Sequence, residues 1–200
     1  LFGSSDERYY IQGGNGQLTQ ALYARVSDRV QLATQLAALT AQRDGQYQVT
    51  LRQGATVRDR QYRHVILTVP FSVLRRLALR VDLPEPQRRA IAELGYSSPT
   101  KLITAYRQKV WRQQGWNGLA YTDLPMQHCW EASDSLRSAD KALLVAYPGG
   151  DGGRAIAAQT PEQVAIALHR DLSQLFPAIG PTRLTPQLLR SEWLTDPWSA

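Results

Sequence analysis

Sulfur is almost missing from this chain, which holds one cysteine, Cys129, and one methionine, Met126, in 200 residues. A lone cysteine excludes an internal disulfide framework and a thiolate metal cluster. Histidine is scarce too, and His64, His128 and His169 have no metal-ligand spacing between them. They read as structural residues. No apolar run approaches about 18 residues, so no membrane-spanning helix is expected. A basic-then-apolar leader is not visible at the start. A soluble chain, cytoplasmic in location, is the expectation. The first residue is Leu1 and the only methionine is internal, so the chain is expected to be a piece of something longer.

Lysine supplies three of the 23 basic residues and arginine the rest. The formal charge of +6 and a pI near 9.7 raise the question of nucleic acid. These arginines are scattered, however, with short pairs only at Arg75-Arg76 and Arg88-Arg89. A basic footprint clusters on one face or arm, so no nucleic-acid partner is expected.

What is present is ordinary globular material, 43% hydrophobic and 20% charged, with enough apolar surface for a core. Gly13-Gly14-Asn15-Gly16-Gln17 precedes Leu18, Leu22 and Val26 at helical spacing. Asn15 is the expected N-cap, and the glycines permit a tight turn before it. Leu36 to Gln42 and Tyr47 to Leu51 flank Asp44-Gly45, a hairpin signal. His64 to Val69, closed by Pro70, is a continuous apolar run that predicts a third strand buried on both faces. Gln87 to Leu94 predicts a short helix with Pro86 before it and Gly95 after it. Lys101 to Arg107 alternates as a strand does, and Leu143 to Tyr147 predicts another. Asp151-Gly152-Gly153 resembles a phosphate cradle only loosely, without a strand before and a helix after, and reads as a surface turn. Thr160-Pro161-Glu162-Gln163 combines an N-cap, a first-turn proline and a capping box. It leads a buried stripe of Val164, Leu168, Leu172 and Leu175, ended by Phe176-Pro177. The fold class predicted is α+β or mixed α/β, sheet-rich up to Pro70 and mixed from Leu83 onward, with the proline-rich segment between as the boundary.

Four signals, weak singly, stand in an informative order. They are Gly13 to Gln17; Thr68-Val69-Pro70; Ser98-Pro99-Thr100-Lys101 leading to Val110-Trp111; and Glu192-Trp193-Leu194-Thr195-Asp196-Pro197-Trp198. In this order and at these distances the chain resembles the flavin-containing amine oxidases: monoamine, polyamine and L-amino-acid oxidases. Thr122-Asp123-Leu124-Pro125 is similar to the branch of bacterial monoamine oxidases and L-amino-acid oxidases. The resemblance covers essentially the whole chain. It implies part of a two-domain FAD-binding fold: residues 1–82 as a partial FAD-binding domain, 83–184 as the substrate domain, and 185–200 as a return to the first. FAD is the implied cofactor, and a small-molecule amine and O2 are the implied partners. The implied reaction is oxidative deamination of an amine, diamine or amino acid by hydride transfer to the flavin, with O2 reduced to H2O2. A related desaturase or porphyrinogen-type oxidoreductase, or a non-catalytic remnant, is the alternative.

The same resemblance assigns roles. Lys101 matches the lysine that holds a water near the flavin N5. Two features of the residue favour this over a surface lysine: lysine is rare here, and Lys101 opens the apolar strand Leu102-Ile103-Thr104-Ala105. A lysine drawn into such a site loses hydration and becomes a better proton partner or water positioner. Trp193 and Trp198 match aromatic positions near the isoalloxazine, set on an irregular turn around Asp196-Pro197. Leu36 matches the position whose main chain reads the adenine. One departure bears on substrate: amino-acid-oxidising members often carry Trp-Tyr-Pro where this chain has Trp130-Glu131-Ala132. A carboxylate at Glu131 in the pocket would attract a second ammonium group and repel an amino-acid carboxylate. The Gly-x-Gly-x-x-Gly pyrophosphate loop does not occur in these residues. The chain alone is therefore expected to bind FAD weakly or not at all, and to be inactive by itself.

Overall fold

A computed structural model describes residues 9–133, 141–184, 188–191, 193 and 195–199. By internal contact they form two units: Leu1–Val69 with Leu74–Arg89, and Pro70–Val73 with Ala90–Ala200. Helices and sheets are mixed in both, as the sequence predicts.

In the first unit, Gly13 and Gly14 take φ of 86° and 104° in the turn before helix α1 (Gly16–Val26). Only glycine adopts such angles without steric cost. Asn15 occupies the N-cap position, but its Oδ1 accepts from the Ile11 amide at 3.1 Å instead of from a helix donor. The hairpin forms as expected. Strands β1 (Gln35–Ala41) and β2 (Tyr47–Gln53) pair antiparallel, Leu39 opposite Val49, across a turn in which Gly45 has φ 79°.

The third strand lies elsewhere than expected. It is β3 (Thr56–Tyr62), joined to β2 through Gly54 at φ 57° and paired with it along its whole length. Its polar composition hides it. Asp59 holds it in place by accepting from Thr50 Oγ1 at 2.7 Å and Gln48 Nε2 at 2.6 Å across the ladder, a cross-strand pairing that offsets poor hydrophobic content. His64 to Val69 forms no strand, and Ile66 stays exposed. An apolar strand needs neighbours on its edges, and none of the described residues supplies one. After α2 (Phe71–Leu74), β4 (Ala78–Arg80) completes the sheet by pairing parallel to β1, in the order β3-β2-β1-β4. Helix α3 (Glu85–Glu93) begins two residues before the predicted start.

The second unit is built on a five-stranded sheet of order β6-β7-β8-β5-β9. Its strands are β5 (Leu102–Tyr106), β6 (Ala120–Tyr121), β7 (His128–Glu131), β8 (Ala142–Ala146) and β9 (Leu189–Arg190). Helices α4 (Val110–Gln113), α5 (Gly150–Ala157) and α6 (Pro161–Leu175) complete it. Alternation along the strands gives the sheet two faces. One face presents Leu102, Tyr106, Cys129, Leu144 and Ala146 to the α6 stripe of Val164, Leu168 and Leu172 and to the fully buried Trp111. Each such apolar side chain contributes roughly 1.5–3 kcal/mol by burial. The α6 capping box forms in full: Thr160 Oγ1 accepts from the Gln163 amide, and Gln163 Oε1 accepts from the Thr160 amide.

The segment read as a surface turn is helical. Asp151-Gly152-Gly153 lies in the first turn of α5, just after β8. The glycines serve packing here. A Cβ on Gly153 would overlap the Ser98 carbonyl, and one on Gly152 would stand 2.8 Å from Gln127 Nε2. Gln127 in turn bonds Gly149 through both its amide atoms, at 2.9 and 3.1 Å, so that helix end is already occupied. Ser98 donates to the Gly150 carbonyl. Close seating of α5 on the approach to β5 explains both the glycines and the buried Ser98.

Residues 188–199, as far as described, group by internal contact with the second unit. Residues 185–187, Glu192, Leu194 and Ala200 lie outside the described residues.

Candidate active site

The second face of the five-stranded sheet carries a different chemistry. Register places Ile103 opposite Val145, Val145 opposite Trp130, and Tyr121 opposite His128. Tyr147 follows β8 and hydrogen-bonds the His128 carbonyl through its amide at 3.0 Å. The rings associate accordingly. His128 stacks on Tyr121 (5.3 Å, 13°) and on Trp130 (5.2 Å, 23°), while Tyr147 stands edge-on to His128 at 5.5 Å and to Trp130 at 5.9 Å. Aromatic pairs at such distances favour one geometry over others, so this face presents a fixed aromatic wall.

Lys101 stands at the end of that wall. Its Nζ lies 5.8 Å from the centre of the Tyr147 ring, within cation–π range. The backbone is held on the outer side by Ser191: the Lys101 amide donates to Ser191 Oγ at 2.8 Å, and the Ser191 amide donates to the Lys101 carbonyl at 3.0 Å. On the near side, the Thr100 amide donates to the Pro148 carbonyl at 2.9 Å. The side chain itself is exposed. The arrangement is therefore a fixed backbone with an ammonium free to meet a ligand or a water.

Adjacent to Ser191 is a depression of about 340 Å³ lined by Ser191, Trp193, Thr195 and Asp196. Asp196 caps the turn that carries the two tryptophans, its Oδ1 accepting from the Trp198 amide at 2.8 Å. Trp193 and Trp198 remain 51% and 59% exposed.

Strand alternation separates the two residues read as one substrate pocket. Trp130 lies on the aromatic face. Glu131 points to the other side, its side chain 2% exposed. There it pairs with Lys109 Nζ at 2.6 Å and Arg112 Nε at 3.0 Å, and accepts from Trp111 Nε1 at 2.7 Å and Ser133 Oγ at 3.0 Å. A carboxylate engaged on both oxygens has nothing left to offer a substrate ammonium. Sequence reading also missed His128, Tyr147 and Tyr121 as members of the wall. The signal was there, since His128 and Trp130 are two apart on a strand, as are Val145 and Tyr147.

Leu36 belongs to the first unit. It pairs with Leu51, and a bulge before Ala38 breaks the β1–β2 register. The parallel β4 begins pairing only at Ala38, so on that edge the Leu36 main chain has no ladder partner among the described residues. A flavin dinucleotide requires main-chain donors and acceptors for its adenine and flat apolar contact for its ring system. Within the first unit, taken by itself, the edge at Leu36 offers main-chain groups; within the second, taken by itself, the rings beside Lys101 offer flat apolar surface. Among the described residues no cluster of metal-ligating side chains occurs, and no helix is long and apolar enough to cross a membrane.

Comparison with known proteins identifies the family of this chain. The model of the flavin containing amine oxidoreductase family matches residues 1–200. The chain is 26% identical over 197 residues to the flavin-dependent L-tryptophan oxidase RebO of Lentzea aerocolonigenes, covering 94% of this chain and 40% of that protein. It is 25% identical over 176 residues to the L-amino acid oxidase bordonein-L of Crotalus durissus terrificus, covering 86% of this chain and 34% of that one. Among solved structures, a putrescine oxidase triple mutant superposes with a TM-score of 0.79 at 18% identity, over 94% of this chain and 40% of its own. The cyclohexylamine oxidase of Brevibacterium oxydans gives 0.78 at 18% identity, over 93% and 40%. The chain thus spans at most about 40% of the length of these proteins. It belongs to the flavin-containing amine oxidoreductases, a family of enzymes that use FAD, and its fold is theirs in part.

Proposed function

We propose that this chain supplies the substrate side of a site for FAD-dependent oxidation of an amine, with Lys101 as the residue that positions water. The observation that carries this reading is the Lys101 ammonium on an exposed aromatic face, its backbone clamped from both sides and its side chain uncommitted to any carboxylate among the described residues.

FAD, when bound, supplies the two-electron acceptor. The protein's own contribution is positional. Lys101 offers three N–H donors on a compact charge, which suits it to fix a water. Tyr147 holds the ammonium against its ring, worth about 0.5–1 kcal/mol at an exposed position. Trp130, His128 and Tyr121 extend the wall along which an apolar amine side chain can lie. Trp193 and Trp198 offer flat contact for the flavin ring system, and the Leu36 main chain offers hydrogen bonds for the adenine. Release of H2O2 after reaction with O2 belongs to the same reading. A diamine preference is not proposed, because the carboxylate that suggested it is turned into the core.

Lys101→Met in the flavin-loaded enzyme should slow anaerobic flavin reduction by amine about 10²–10⁴-fold, as loss of a proton-handling group does. Peroxide release should fall in step. An unchanged reduction rate in a variant that retains its flavin would rule Lys101 out.

A further inference from the structure

On the far side of the same sheet lies a partly open cavity of about 210 Å³, bordered by β5, the loop before β7, and helices α5 and α6. Its walls are mostly apolar, with Leu102, Ile156, Ala167 and Leu168 among them, and the polar wall residues are Gln159, Arg170 and Asp171. The volume is far above the ~10–15 Å³ that admits a single water.

Asp171 is the anomaly. It is a carboxylate 97% buried whose Oδ1 has no hydrogen-bond partner among the described residues. Among the described residues its ion-pair partner is Arg170, whose Nη2 stands 3.5 Å from Oδ1 on a side chain that also borders the cavity and is 68% exposed, so water screens the pair. Buried carboxylates are held by hydrogen bonds or by a paired charge, because losing hydration without replacement is costly. A bare metal ion does not meet the need, since hard cations take about six oxygen ligands and among these walls only Asp171 and Gln159 carry side-chain oxygens. The complement to one carboxylate at the side of an apolar chamber is a cation with a hydrocarbon tail.

We propose that this cavity binds a short primary alkylammonium ion, its ammonium on Asp171 and its chain among Leu102, Ile156 and Leu168. It is a second amine site, across the sheet from Lys101 and separate from it. Binding there is noncovalent and involves no chemistry. Its occupant supplies the hydrogen bond that Oδ1 of Asp171 lacks, so amine concentration also becomes a determinant of how firmly α6 is seated.

Methyl resonances of the chain, titrated with n-butylammonium chloride, test this directly. Saturable shifts are expected at Leu102, Ile156 and Leu168 in the range of about 1–10 mM. Tetramethylammonium chloride at equal ionic strength should not produce them, and 1-butanol should bind at least about tenfold more weakly. Asp171→Asn should weaken n-butylammonium binding by a similar factor. Ala167→Leu, which keeps the carboxylate and fills the chamber, should abolish it and decides the matter if the asparagine variant does not fold. Lys101→Met should leave these shifts unchanged, so failure here and failure of the Lys101 assignment are distinguishable. Equal affinity in Ala167→Leu or in a folded Asp171→Asn, equal affinity for butanol, or no saturable shift would overturn the proposal.

Discussion

The indole N–H of Trp111 donates to Oε2 of Glu131 across 2.7 Å, and Gly118 lies against both residues. This contact joins α4, the β6 approach and β7 beneath the core face of the sheet. It gives Glu131 a structural purpose, from which two predictions follow directly.

Glu131→Gln should lower stability by about 3 kcal/mol, the scale for breaking a buried charge pair. The partly exposed Arg112 contributes little of this, being screened by water, while Lys109 at 20% exposure contributes more. Urea unfolding measures the loss. The same variant, once folded and flavin-loaded, should keep its KM for monoamines and for diamines alike. A selective rise in the diamine KM would return Glu131 to the substrate pocket.

Gly118→Ala should be destabilising by roughly 1–3 kcal/mol for two reasons that act together. Gly118 has φ +80°, and an added Cβ would stand 3.0 Å from Trp111 Nε1 and 3.1 Å from the Glu131 Cβ. Tryptophan fluorescence followed through thermal unfolding reports it. Gly115→Ala, with a similar φ of 79° but open space around it, should cost less. Equal losses at the two positions would show that backbone angle alone is responsible.

Trp130→Ala should act on the substrate and not on the core. With its ring on the open face, the expected change is a KM raised about tenfold for apolar amines, with a smaller effect on kcat. Steady-state kinetics separate the two. A variant that loses stability as severely as Glu131→Gln would place Trp130 on the wrong side of the sheet.

Burial pushes the Cys129 thiol up, from an ordinary 9.0 to about 11. It should therefore resist thiol reagents at pH 8 while the chain is folded, and react fully in denaturant. The pH consequence has a definite sign. The folded state holds the proton more tightly than the unfolded one, so this contribution to stability is complete below pH 9. It is lost as pH rises through the interval from 9 to about 11. Denaturation midpoints measured across that range should fall for the parent chain and fall less for Cys129→Ala.

Local signals were legible where the chain satisfies itself locally. The Asp44-Gly45 hairpin and the Thr160 capping box need only neighbouring residues, and both stand where the sequence places them. Tertiary context decided the rest. β3 is a strand because Asp59 finds Thr50 and Gln48 across the ladder, which composition does not reveal. The reverse holds for His64 to Val69, apolar enough for a strand but without a partner among the described residues. At the candidate site, Lys101 was singled out by scarcity and by family order. The wall beside it went unread, because His128 looked structural until strand pairing set it between Tyr121 and Trp130. Period-two alternation alone would have parted Trp130 from Glu131.

The Lys101 backbone is tied to Ser191, a residue 90 positions further along the chain. Closing a loop of that length directly costs about 4 kcal/mol in chain entropy beyond a constant, and it waits on the strands between. The consequence is one of timing. During synthesis, this bond can hold Lys101 only after Ser191 has also left the ribosome. The Lys101 backbone is thus secured later than a local turn such as that at Asp44-Gly45, which needs no residue so far along the chain.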